Sequence, residues 1–364
     1  MVSKKSIIII SIVIFIILIL IVFAYLYSVR YYLDSDIDIL TGNNKTIDIS
    51  QFDNNIIINS GGTYNLTGTS SNHILIDALD EDVTLVLNNV EINSNNSSAI
   101  IGKNLNSLNI DLVEGSTNTL YSEGKSDYKS SLYVNGDITF TGEGTLNIAG
   151  NQLEGNGITA VGSNIVFESG NINITAKRAG IKTDGKENGL ITIDDGNIYI
   201  DADGDGINAL EGVVINNGTI FISGGVSDYC QGIDTNDGFT INGGTVIALG
   251  VGMLETPLKS SDQKTICLSL DEDISSENTV TLANSKKEEV ISFVAPKDFK
   301  TILISNNNIS DNTYYLYQNN LHTGKAVNGL YTGGSVTLKD MITINDSSKI
   351  VVSDTVTSVG NNIR

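Results

Sequence analysis

The chain has 364 residues, a formal net charge of −21 and a pI near 4.3, with 36 glycines, two prolines and no tryptophan. That acidity excludes a basic nucleic-acid binder as the default, because a polyanion would be repelled. Charged residues are only 17% of the chain and hydrophobic ones 40%, enough apolar content for most of it to fold.

The first predicted element is a membrane helix. MVSKKS precedes a run from Ile7 to Tyr27 that is apolar but for one serine. About 20 helical residues span a hydrocarbon core. Lys4 and Lys5 favour a cytoplasmic N-terminus, and Tyr25, Tyr27, Tyr31 and Tyr32 would form a belt at the far interface. The alternative is a cleaved signal peptide, but the run is long for that and no small-x-small site follows it. Residues 1–33 therefore predict a cytoplasmic tip and an uncleaved signal anchor. The main domain is then extracellular, and residues 34–55 are a linker or N-terminal cap.

From about Ile56 the text alternates in short pieces: IIIN, LVLNNVEI, LYVNGDITF, GTLNI. Then a repeat emerges. Gly-Ile recurs in GNGITA (155–160), RAGIKT (178–183), DGINA (205–209) and QGIDT (231–235), with the glycines at Gly157, Gly180, Gly206 and Gly232. Each Gly-Ile piece is followed by two more strand patterns, separated by Gly, Asn and Asp turns. Alternation points three sets of side chains inward: Ile158, Ile181, Ile207, Ile233; Phe167, Ile193, Ile215, Ile241; and Ile172, Ile198, Ile220, Val246. Three short strands per turn at this period predict an all-β, right-handed parallel β-helix over residues 56–251. Both prolines, Pro257 and Pro296, lie beyond it. Residues 252–345 predict a small flanking β region, and residues 346–364 a polar tail. Cys230 and Cys267 are too few for a disulfide framework and read best as buried thiols.

The acids gather at turns. DADGDG, Asp201 to Gly206, opens like an EF-hand loop, but its twelfth position is Gly212 and strands flank it, so it is not one. The chemistry survives, since alternating carboxylates at a turn present hard oxygens to a cation. The competing reading is a solvated Asp-Gly turn. Neighbouring coils add Asp184 before it, and Asp228 and Asp234 after it. Stacked about 4.8 Å apart, such carboxylates repel one another unless a cation intervenes. Asp184, Asp201, Asp203, Asp205, Asp228 and Asp234 are thus candidate calcium ligands. Outward positions place Asn173, Tyr199, Phe221 and Ile247 in one column, where Tyr199 and Phe221 would stack on sugar rings or lie beneath the C-terminal region.

Several pieces, taken in order, resemble a family of bacterial carbohydrate-binding β-helix domains best known from cellulose-degrading clostridia. They are GGTYNLTG, VTLVLNNVEI, IDLVEGSTNTL, LYVNGDITFTGEGTLNI, the four Gly-Ile coils, GGTVIALG and FKTILISNNNISDNTYYLY, spanning about Ile56 to Gln318. The resemblance implies a pectate-lyase-like fold that binds calcium and plant-wall polysaccharide, notably polygalacturonate (the backbone of pectin) and cellulose. Calcium bridging would then reconcile an acidic protein with an acidic glycan. Arg178 and Lys182 would contact the sugar. An enzymatic alternative is a calcium-dependent polysaccharide lyase. Of the three arginines, Arg30, Arg178 and Arg364, only Arg178 lies among the coils to serve as its base. A structural stalk or adhesin is the third reading. His73 and His322 form no metal motif.

Overall fold

The computed structural model describes residues 16–19, 37–40, 45–123, 128–150, 154–186, 188–225, 227–258, 261–361 and 363–364. The predicted anchor falls almost wholly outside them. Of it, only Ile16–Ile19 are described, as exposed helical residues. Among the described residues no helix is long and apolar enough to cross a membrane.

The body is a parallel β-solenoid. Its first face is a nine-stranded parallel sheet, ending in Asn156–Val161, Ile181–Asp184, Ile207–Ala209 and Ile233–Thr235. All three predicted inward ladders form in register. Ile158 pairs with Ile181, Ile181 with Ile207, and Ile207 with Ile233. Phe167, Ile193, Ile215 and Ile241 stack on the second face. Ile172, Ile198, Ile220 and Val246 stack on the third. These side chains are 0–4% exposed and share one continuous core. Winding begins early: Ile37–Leu40 and Thr46–Asp48, in the predicted linker or cap, already pair into the ladders.

The recurring glycines have a steric cause. Each opens the first face at a tight corner, where the next coil's backbone passes close by. A Cβ built on Gly157 would lie 2.6 Å from the Gly180 carbonyl oxygen, one on Gly180 2.6 Å from that of Gly206, and one on Gly206 2.5 Å from that of Gly232.

Beyond Gly250 the third face changes hands. Phe299–Asn306 pairs antiparallel with Thr245–Gly250, Thr265–Ile274 pairs antiparallel with Phe299–Asn306, and Val356–Val359 joins in parallel. The predicted polar tail is therefore tied in, because its Val-Thr-Ser-Val run supplies a strand. Cys267 and Leu303 seal the solenoid core from this end. A seven-stranded sheet, including Thr279–Asn284, Glu289–Val294 and Thr313–Gln318, packs over the outside. The outward column explains where it sits. Along the coils it runs Asn147, Asn173, Tyr199, Phe221, Ile247, turning apolar where cover is needed. Phe221, Ile247 and Leu249 form a second core with Phe293, Ile302, Leu316 and Leu330.

Candidate functional site

The residue after each Gly-Ile points away from the core. Register brings Tyr133, Thr159, Lys182, Asn208 and Asp234 into one outward column on the first face. At about 4.8 Å per coil the column is roughly 19 Å long. Tyr133, Lys182, Asn208 and Asp234 offer hydroxyl, ammonium, amide and carboxylate groups in sequence, whereas Thr159 is buried and its hydroxyl is bonded to Ser130 and Asn156. Tyr133 packs against Tyr128 at one end, with ring centroids 4.7 Å apart. Burial, then the neighbouring Tyr128 and Asp184, raise the Tyr133 hydroxyl above the ordinary tyrosine value.

The other end of the column is a polar cluster. Asn208 donates to Asp205 Oδ2 at 3.0 Å and to Asp234 Oδ2 at 2.9 Å. The Gln231 backbone N–H donates to Asp205 Oδ1 at 2.9 Å, and its side-chain amide to Asp234 Oδ1 at 3.4 Å. Gln231 is 8% exposed and its Oε1 has no hydrogen-bond partner. Burial, with the Asp205 charge behind it, raises the Asp234 carboxyl against the opposing pull of Arg364. Glu255 is buried beside it and pairs with Arg364 Nη1 at 3.1 Å.

The predicted calcium ligands divide. Asp201 and Asp203 are held by lysines: Lys297 Nζ lies 2.6 Å from Asp201 and 3.6 Å from Asp203, and Lys177 Nζ lies 2.7 Å from Asp203. At Asp203 burial acts to raise the carboxyl. The Lys177 hydrogen bond and the Lys297 charge outweigh it and bring the carboxyl below its ordinary value. Asp184 pairs with Lys182 at 3.0 Å, and that hydrogen bond lowers its carboxyl too. Ammonium groups thus already supply the positive charge at these three acids. Among the described residues no group of three or more His, Cys, Asp or Glu is placed to hold a metal ion. Asp205 and Asp234 come nearest to a cation site. They are two carboxylates beside an orphaned amide oxygen, with no lysine against them among the described residues. Asp228 is exposed nearby and lines a groove of about 510 Å³ with Tyr229, Gln231, Lys300 and Arg364.

The predicted aromatic platform is covered. Phe221 is 1% exposed, and its ring lies between Tyr199 at 5.8 Å and Phe293 at 6.2 Å. A Cβ on Gly329 would strike the Phe221 ring, so the C-terminal region sits directly on it. Tyr199 is half-buried, and burial followed by the Asp201 charge pushes its hydroxyl up to about 12. Phe221 therefore presents no face to a sugar. Arg178 is an exposed corner residue whose carbonyl accepts the Gly204 N–H; the acid beside it is held by Lys177 instead.

Sequence reasoning missed Asn208 and Gln231, although both lie in the Gly-Ile motifs, one just after Ile207 and the other just before Gly232. It also missed Lys297, Lys300, Glu255 and Arg364. No repeat contains these four, so no local signal marks them.

A family model described as carbohydrate-binding domain-containing protein matches residues 52–287, well over half of the chain. The chain belongs to that family. Its Lys297, Lys300 and Arg364 lie beyond the matched residues. Among solved structures the chain is similar to that of the polysaccharide lyase-like protein from C. thermocellum, a gadolinium derivative. The identity is 26%, over 55% of this chain and 88% of that one, with a TM-score of 0.42. No curated protein matches the chain.

Proposed function

We propose that the protein is a membrane-anchored extracellular binder of acidic, polygalacturonate-like cell-wall polysaccharide, held along the first face with calcium as the bridge. Membership of a carbohydrate-binding family supports sugar as the ligand class. The observation that carries the rest is the polar column from Tyr133 to Asp234, ending in the Asp205–Asp234 pair with the orphaned Gln231 oxygen. Tyr133, Lys182 and Asn208 would orient sugar hydroxyls and carboxylates. Asp205, Asp234 and Gln231 would hold the cation. Calcium takes six to eight oxygens, so three protein groups leave positions open for uronate carboxylates and water. The anchor rests on the apolar run Ile7–Tyr27 and the lysines before it.

The test is retention of the full chain on polygalacturonate and on cellulose, with Ca²⁺ and with EDTA. Calcium-dependent retention on polygalacturonate, with the polymer left intact, is expected. Unsaturated product absorbing in the ultraviolet, lost in Arg178→Lys, would replace the binder with a lyase. Calcium stabilisation without retention on any glycan would leave a structural stalk.

A further inference from the structure

The groove at the last coil does not belong to the repeat. The solenoid supplies one wall, with Asp228, Tyr229 and Gln231. The C-terminal region supplies Lys300 and Arg364. We propose that this groove is a metal-independent subsite for one carboxylated sugar unit, with Lys300 and Arg364 taking the carboxylate and Tyr229 stacking on the ring. The proposal rests on the reading of the first face as an acidic-glycan track.

Charge is the first argument. The chain has 21 Lys and Arg against 42 Asp and Glu, and three arginines in all. Two cations nevertheless line one groove whose one acidic side chain is that of Asp228, Glu255 being paired with Arg364 beside it. Arg364 is pre-positioned. Its N–H donates to the Leu254 carbonyl at 2.9 Å, its own carbonyl accepts from Thr256 Oγ1 at 2.6 Å, and Nη1 meets Glu255 at 3.1 Å. One arm of the fork is thus fixed, and its side chain remains 55% exposed. A planar fork held in this way suits a carboxylate.

The ring platform is the second argument. Tyr229 is 90% exposed, yet its turn is tightly made. Cys230 N–H donates to the Ser227 carbonyl at 2.9 Å, and Gly252 N–H to the Cys230 carbonyl at 2.9 Å. A Cβ on Gly252 would lie 2.7 Å from the Asp228 carbonyl oxygen, so the turn is seated on a glycine that nothing larger replaces without displacing it. On this anchored turn the exposed amphipathic ring of Tyr229 lines the groove and is free to stack on a sugar. Asp228 supplies an acceptor for ring hydroxyls.

Placement is the third. Gln231 lines the groove and also bonds Asp205 and Asp234, so the groove opens at the end of the polar column. A glycan lying on the column delivers its next unit there. A volume of about 510 Å³ lies within the usual range for small-ligand sites, about 300–1,000 Å³.

The experiment is calorimetric titration of the full chain with trigalacturonate in EDTA, with cellotriose as the neutral probe. Trigalacturonate should bind without calcium, and cellotriose more weakly. Lys300→Met and Tyr229→Ala should each weaken trigalacturonate binding by about tenfold, the loss of one charge-assisted or stacking contact. Neither side chain is buried, so unchanged melting curves check that both variants fold. Trigalacturonate binding in EDTA that is absent, or untouched by both variants, overturns the subsite whatever calcium does. Binding that is sensitive to both variants in EDTA, with no calcium-dependent retention on the polymer, keeps the subsite and removes the calcium-bridged track.

Discussion

Gly206→Ala tests the corner that makes the coil possible. The new Cβ would sit 2.5 Å from the Gly232 carbonyl oxygen, with the Ile222 Cγ2 methyl closer still. A carbon and an oxygen rest at about 3.3–3.6 Å, so something must give by roughly 1 Å. Neither neighbour is free to do so. Ile222 is fully buried in the core, and the Gly232 carbonyl accepts the Ile207 N–H at 2.9 Å. Overpacking of this kind costs about 1–3 kcal/mol. Reduced freedom of the unfolded chain returns about 0.4–1 kcal/mol. Because the obstructing atom is backbone, the cost belongs at the top of its range, and the net loss is about 2 kcal/mol. For a large domain this lowers Tm by about 4–8 °C. Circular-dichroism melts of the full chain read it directly. Gly232→Ala provides the internal scale: its Cβ would lie 2.9 Å from the Leu249 carbonyl oxygen and 3.0 Å from Ala248 Cβ, so its loss should be smaller. If Gly206→Ala melts at or above the parent temperature, or Gly232→Ala proves the costlier change, the corner argument is wrong.

Ile207→Asp places an unpaired carboxylate between Ile181 and Ile233, a burial too costly to keep, so cooperative unfolding should disappear; a melt like that of the parent would mean the faces are misassigned. Millimolar Ca²⁺ should raise Tm through preferential binding to the folded state. Asp234→Asn should shrink that rise more than Asp203→Asn, because Lys177 and Lys297 already neutralise Asp203; equal rises in both variants would count against the Asp205–Asp234 assignment. Burial pushes the Cys267 thiol up to about 12, whereas Cys230 is only half-buried. Alkylation of the native chain at pH 8 should therefore modify Cys230 alone, and unfolding should expose both thiols; two fast-reacting thiols in the native chain would contradict this packing.

The repeats carried the solenoid in plain text. A two-residue alternation decides which side chains face inward, and the recurrence of Gly-Ile at steps of 23, 26 and 26 residues decides which of them stack. Local sterics and the coil period therefore determine Ile158, Ile181, Ile207 and Ile233 as one ladder before any contact is known. The same logic places Thr159, Lys182, Asn208 and Asp234 outward, since each follows a core isoleucine. Alternation says nothing about what lies beyond an outward side chain. Phe221 and Ile247 are outward and yet buried, because a separate sheet, later in the chain, settles on the apolar end of that column. Charge behaves in the same way. The turn from Asp201 to Asp205 reads as a cation site because carboxylates repel at short range. Which cation answers them is decided by whatever the fold brings near. Lys297 reaches the Asp201 turn from the C-terminal region, and Arg364 reaches Glu255 from beyond the last coil. Periodicity is a local property and can be read along the chain. The partners of a buried face or a clustered charge come from distant segments, so only the packed tertiary structure could supply them.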